Sequence, residues 1–170
     1  MSKDIRQAIK KLDDREARPL LLELATLRPA NAEWLLARIQ GEQSKEEVLH
    51  TYKRKIKSIL QPSYGERIDL RAARQLITDF KKIIKDIEAR IDLMLHYVET
   101  GVAIENKYGD LYEAFYSSME NMFAEVIHLL NNYPPYVKRF RPRLLCIITT
   151  CAEGWGHREE LTAIYGGLEQ

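Results

Sequence analysis

The sequence predicts an all-α protein, and three observations carry that prediction. Apolar residues recur at steps of three and four through most of the 170 residues, the spacing of one helical face. No stretch alternates apolar and polar residues for long, so no sheet is expected. Prolines, glycines and capping residues cut the pattern into about eight short helices with brief loops. Such helices pack as antiparallel pairs, in an α–α array resembling a short solenoid or in a compact bundle. The length suits a single domain, 1–170, with N-terminal helices in 1–43, central helices in 44–132 and C-terminal helices in 133–170.

Taken in order, residues 3–12 read as a short helix that buries Ile5, Ala8, Ile9 and Leu12. Asp13-Asp14 ends it and caps the next, which carries Leu20, Leu21, Leu24 and Leu27, with Pro19 near its first turns or just breaking it. Pro29 opens a third helix with Trp34, Leu35 and Ile39, and Gly41 stops it. Ser44 with Glu47 three residues later is a capping box. The helix it starts buries Val48, Leu49, Tyr52, Ile56, Ile59 and Leu60, and Pro62 and Gly65 force a loop.

Asp69 then caps a helix with its stripe at Ala73, Leu76, Ile77, Phe80, Ile83, Ile84 and Ile87. The next stripe is Ile91, Met94, Leu95, Val98 and Val102, with Gly101 inside it, where glycine weakens a helix. Tyr108-Gly109-Asp110 reads as a turn, with Asp110 capping a helix that buries Leu111, Phe115, Met119, Met122, Phe123, Val126, Ile127 and Leu130. Pro134-Pro135 opens another helix, in which Pro142 should cause a kink or split. Gly154-Trp155-Gly156 is a tight connection, with Trp155 as a packing anchor, and a final helix carries Leu161, Ile164, Tyr165 and Leu168.

The formal net charge is +1, yet charge is segregated along the chain. Residues 53–85 hold ten Lys and Arg against three Asp and Glu, a net +7; residues 86–133 hold two against nine, a net −7. Neighbouring helices of opposite sign can pair along their rims. Alternatively the basic side binds an anion through Lys53, Lys57, Arg67, Arg71 and Arg74, around the loop at Pro62–Arg67. A free nucleic-acid binder is usually more basic overall, so nucleic acid would be held only by that local patch. No apolar run reaches a membrane span of about 20 residues, and Met-Ser-Lys-Asp carries no apolar signal core. Cys146 and Cys151, five apart on one helix, point in different directions; no disulfide and a reducing cytoplasm are expected.

Several pieces carry a family resemblance: Pro62-Ser63-Tyr64-Gly65-Glu66, Asp69-Leu70-Arg71-Ala72-Ala73-Arg74, Tyr97-Val98-Glu99-Thr100-Gly101-Val102, Tyr108-Gly109-Asp110, Phe115-Tyr116-Ser117-Ser118-Met119-Glu120 and Gly154-Trp155-Gly156-His157. From about Thr51 to the end the chain resembles a family of small bacterial proteins, domain-of-unknown-function family sixty-one fifty-five. The resemblance implies a compact, all-helical bacterial protein and brings no activity and no catalytic residues.

Glu-x-x-His occurs twice, at Glu47/His50 and Glu125/His128, the spacing of di-iron bundles. At about 100° per residue both pairs point away from their helices' apolar stripes, whereas such ligands face the core. Asp92, His96 and Glu99 share one helical face, as a metal half-site or as a solvated acidic face. Tyr97, Tyr108 and Tyr116 beside Glu99, Asp110 and Glu120 outline a groove, or else core-edge packing. No nucleophile motif and no phosphate-binding glycine loop is present.

The function expected is thus a non-enzymatic helical interaction module with a basic, anion-binding face, with no cofactor or metal and with a protein or anionic ligand as partner. The alternative is an enzyme on an anionic small molecule, held by Arg67, Arg71 and Arg74 with Glu99 or Glu120 as acid–base groups.

Overall fold

The structure, a computed structural model, describes residues 3–39, 42–61, 67–109, 111–154 and 156–169. The protein is all-α. Among the described residues there are nine α-helices and one 3-10 turn, and no strand. The chain divides into two compact units, Met1–Val48 and Leu49–Gln170.

In the first unit, α1 (Lys3–Lys11), α2 (Asp14–Leu27) and α3 (Pro29–Ile39) follow the predicted segments closely. Asp13 caps α2 as read: its carboxylate accepts from the N–H groups of Arg15 and Glu16, and Glu16 reaches back to the Asp13 N–H. Pro19 lies inside α2 without ending it. It removes the bond that an N–H there would make to the Arg15 carbonyl, and Arg15 is exposed, so that carbonyl can be hydrated. α2 packs on α3, and Asn31 Nδ2 donates to the Leu24 carbonyl at 2.8 Å. The expected burial of Ile5, Ile9, Leu12, Leu20, Leu21 and Leu24 is not found; all are exposed, and no described residue of α1–α3 is buried. α4 (Glu42–Leu60) begins before Ser44, so that serine is inside the helix rather than at its cap.

The second unit is a bundle around α6 (Ile87–Tyr108), on which α5 (Leu70–Ile83), α7 (Glu113–Asn132) and α8 (Val137–Thr150) pack; α9 (His157–Tyr165) lies on α7 and α8. The core joins Ile56 and Leu60 of α4, Phe80 of α5, Phe115 and Phe123 of α7 and Leu144 of α8, all fully buried. Burying each such side chain is worth about 1.5–3 kcal/mol. Asp69 caps α5 through the Ala72 N–H as expected. α5 stops at Ile83, earlier than the stripe suggested, because Ile84 is extended and Asp86 caps α6 through the Ala89 N–H. Ile87 therefore starts α6 rather than ending α5. Tyr112 precedes α7 as its N-cap; Asp110 and the Pro62–Glu66 loop lie outside the described residues, as do Gly41 and Trp155.

Pro134–Tyr136 forms the 3-10 turn that leads into α8, and Pro142 sits inside α8 without splitting it. Lys138, whose carbonyl loses its intrahelical partner to the proline, is exposed and can be hydrated there. Gly154 and Gly156 adopt φ of 103° and 80°, which side-chain-bearing residues rarely take, and Gly156 is the N-cap of α9. No helix among the described residues is long and apolar enough to cross a membrane.

Gly101 is continuous with α6, and its cost in helix propensity is met by packing. A Cβ there would stand 2.2 Å from Met119 Sδ and 2.9 Å from its Cγ. Met119 is fully buried, so any shift of its side chain has to be made within the core. Gly101→Ala should therefore destabilise by about 1–3 kcal/mol despite alanine's better helix propensity. Urea denaturation of that variant against the parent checks this; unchanged or raised stability would show that Met119 repacks without cost.

Candidate functional site

The residues read as an anion-binding face separate into two groups. Lys57, Arg67 and Arg71 are exposed. Lys53 and Arg74 are engaged by acidic helices: Lys53 Nζ donates to both Asp92 oxygens at 2.8 Å, and Arg74 reaches Glu125 Oε1 at 2.5 Å and the Ser118 carbonyl at 3.2 Å. Lys81 joins the same Glu125 at 3.0 Å. The +7 and −7 stretches thus meet at their rims in at least three ion pairs.

Asp92, His96 and Glu99 do share one face of α6, and α8 supplies a cation to it. Arg143 grips Glu99 with two bonds, 2.7 and 2.8 Å, and Asp92 with a third at 2.5 Å. Burial pushes the Asp92 carboxyl up, but Lys53 and Arg143 outweigh it and hold the group below its ordinary 3.8. Burial lowers His96, whose Nε2 faces the Lys53 carbonyl at 3.2 Å. This face is an ion-pair network with its carboxylates already taken. Of the Glu-x-x-His pairs, Glu47, His50 and His128 are exposed and Glu125 belongs to Arg74 and Lys81.

The groove residues do not come together. Tyr97 is fully buried with its hydroxyl 2.7 Å from Ser118 Oγ, and burial raises its phenol. Tyr108 is exposed under Lys107. Only Tyr116 and Glu120 share a cleft, an open one of about 490 Å³ completed by Leu111, Glu113, Ser117, Gly156 and Glu160. Burial raises the Glu120 carboxyl, with Glu160 adding to it against a lowering by His157. The Tyr116 hydroxyl accepts from the Leu111 N–H at 3.1 Å.

Beneath that cleft lies a polar cluster that the sequence reading did not assemble. Glu105 comes from the last turns of α6, Cys151 is the C-cap of α8, and His157 is the first residue of α9. All three are essentially inaccessible. His157 Nδ1 lies 2.8 Å from Glu105 Oε2, and Cys151 Sγ is 3.4 Å from each of these atoms. The Tyr116 ring meets the imidazole edge-on at 5.0 Å. Glu105 Oε1 and His157 Nε2 are buried without a hydrogen-bond partner. Burial and the Glu105 carboxyl push the Cys151 thiol up to about 12, so it stays protonated at neutral pH and donates to Glu105. Cysteine and carboxylate both address Nδ1, whereas a nucleophilic triad sets them on opposite imidazole nitrogens. The arrangement is not that of an activated thiol. Among the described residues it is the one group of three such side chains close enough to share a metal ion.

The sequence signal for this cluster was weak but present: Cys151 and His157 bracket the Gly154–Gly156 turn, which folds the chain back on itself. Glu105, 46 residues upstream of Cys151, had no local signal at all. Comparison of the chain with protein-family models, curated proteins and solved structures found no match.

Two stability predictions follow from the charged rim. Arg143→Ala leaves Asp92 and Glu99 half-buried and facing each other, and should cost about 1–3 kcal/mol at neutral pH. Because the folded Asp92 is lowered, its stabilisation is present above the ordinary carboxylate value and is lost as pH falls through the folded one. The gap between parent and variant should therefore narrow below about pH 4 in urea melts; a gap independent of pH would refute the assignment. Separately, Arg74→Ala should lower the melting temperature, by about 0.5–1.5 kcal/mol in stability, while Arg71→Ala stays within about 0.5 kcal/mol. Equal losses from the two would show that Arg71 is also tied into the fold.

Proposed function

We propose that this protein is a non-enzymatic helical interaction module whose N-terminal helices hold two copies of the chain together. The observation that carries the reading is that α1, α2 and α3 bury none of their described residues although they are rich in leucine and isoleucine. On α2, Leu20, Leu24 and Leu27 fall on one side and Leu22, 71% exposed, on the other. A helix apolar on more than one side needs cover on more than one side, and within this unit α3 covers one of them. Small units bury a low fraction of their surface, and exposed apolar surface of this kind marks an interface.

A second copy fits the chemistry of these helices. Residues 3–39 carry eight basic and six acidic side chains, so the surface is close to self-neutral. α1 is basic at Lys3, Arg6, Lys10 and Lys11, whereas α2 opens on Asp13, Asp14 and Glu16. A two-fold axis can set basic α1 of one copy against the acidic start of α2 of the other, and such symmetry is the commonest for soluble oligomers. Exposed Lys57, Arg67 and Arg71 remain as the anion-binding residues of this module. The reading takes in the resemblance to the bacterial family, which its motifs support, and a reducing cytoplasmic setting, which two free thiols support.

Sedimentation of the full chain is the test. A dimer that dissociates on dilution is expected, and Leu22→Glu with Leu27→Glu should give a monomer of unchanged helicity. A parent that stays monomeric at every concentration, or a substituted chain that stays dimeric, overturns the proposal.

A further inference from the structure

We propose that Glu105, Cys151 and His157 form a zinc(II) site that ties the ends of α6, α8 and α9 together. The donor set is a thiol, an imidazole and a carboxyl, one from each of three elements, all buried. A thiolate with an imidazole suits zinc and excludes calcium and magnesium, which take oxygen donors.

The distances fit. Tetrahedral zinc, with Zn–S of about 2.3 Å and Zn–N and Zn–O of about 2.0–2.2 Å, sets its donor atoms about 3.3–3.6 Å apart. Sγ stands 3.4 Å from Nδ1 and 3.4 Å from Oε2, within that range. Nδ1 and Oε2 are 2.8 Å apart, the length of a hydrogen bond. They need to open by about half an ångström when the ion replaces the proton between them. The second carboxylate oxygen, Oε1, belongs to the same carboxylate and is buried without a partner. An orphaned carboxylate oxygen in an apolar core is costly, and a cation in this cluster satisfies it.

The charge also balances. The ion displaces two protons to solvent, the thiol's and the one shared by Nδ1 and Oε2. Thiolate and carboxylate then offset the two positive charges, so the buried group is neutral before and after. The neighbouring cleft is lined by Glu113, Glu120 and Glu160 together with Gly156 and Tyr116, whose ring meets His157. Three carboxylates beside the cluster concentrate cations there.

Cobalt(II) titrated into the chelator-treated full chain is the test, with zinc in competition. The expected result is one ion per chain, with a thiolate-to-cobalt charge-transfer band that zinc abolishes. Cys146→Ser should keep the band, since Cys146 is exposed and is not one of the three clustered side chains. Cys151→Ser should lose it and weaken zinc by more than about tenfold. Because the chain has two cysteines, a band that survives Cys146→Ser identifies Cys151 even where Cys151→Ser fails to fold. A folded parent that shows no band and retains no zinc overturns the site, as does a band lost in Cys146→Ser or kept in Cys151→Ser.

Discussion

The second unit depends on one constraint: α6 is covered over most of its circumference. Twelve of its residues are buried, on an arc far wider than one stripe, and Asp92, His96, Glu99 and Ala103 hold the remaining side. A helix in that position gains from burial on several faces, but each polar group within the covered arc has to be matched by a neighbour. Its departures from a plain apolar helix each answer that demand. Gly101 removes a side chain where Met119 needs the volume. Thr100 turns its hydroxyl back to the His96 carbonyl at 2.7 Å. Tyr97 finds Ser118 across the α6–α7 interface. Glu105 finds His157 and Cys151.

Charge works on the rim of the same helix. Asp92 and Glu99 are seven residues apart, two turns, and Arg143 spans both while Lys53 closes on Asp92 from α4. Such half-exposed pairs contribute modestly one by one, since solvent screens them. Their geometry nevertheless fixes how α4 and α8 are rotated about α6, because a guanidinium with two carboxylates has few acceptable positions. Arg74 and Lys81 act likewise from α5 on Glu125 of α7. Segregated charge along the sequence is thus largely a record of which helices are neighbours.

That record explains what was legible in the sequence. Helix existence and type were, since α5 and α7 show clean stripes and Asp13 and Asp69 stand where caps belong. Boundaries were less so: nothing in Ile83-Ile84-Lys85 signals a stop, and the break there comes from Asp86 capping α6 against the continuing periodicity. The wide burial of α6 was hidden because periodicity points to one stripe, leaving Leu93 and Ile104 out of the core. Arg143 was invisible as a site residue because its partners lie 44 and 51 positions away. The exposure of α1–α3 was not legible either: periodicity says which face is apolar, and not whether anything covers it.

The buried cluster differs from the rest of the polar core in how it is held. Tyr97 with Ser118 and Thr100 with His96 each leave no buried polar atom unmatched, but Glu105 and His157 leave one atom apiece. The backbone around them is fixed by other means. Arg158 donates through Nε to the Cys151 carbonyl at 2.8 Å and also pairs with Glu153, so it pins both ends of the connection from α8 to α9. Gly154 and Gly156 supply the turn. Cys151 and His157 are therefore set within 3.4 Å of each other by hydrogen bonds and glycine geometry that do not involve Glu105. A site built this way does not need an ion to fold it, unlike a zinc finger, whose ligands are brought together only by the metal. The ordering cost of assembling three side chains is carried by the fold, and the unmatched Glu105 oxygen is the atom that a cation in the cluster would satisfy.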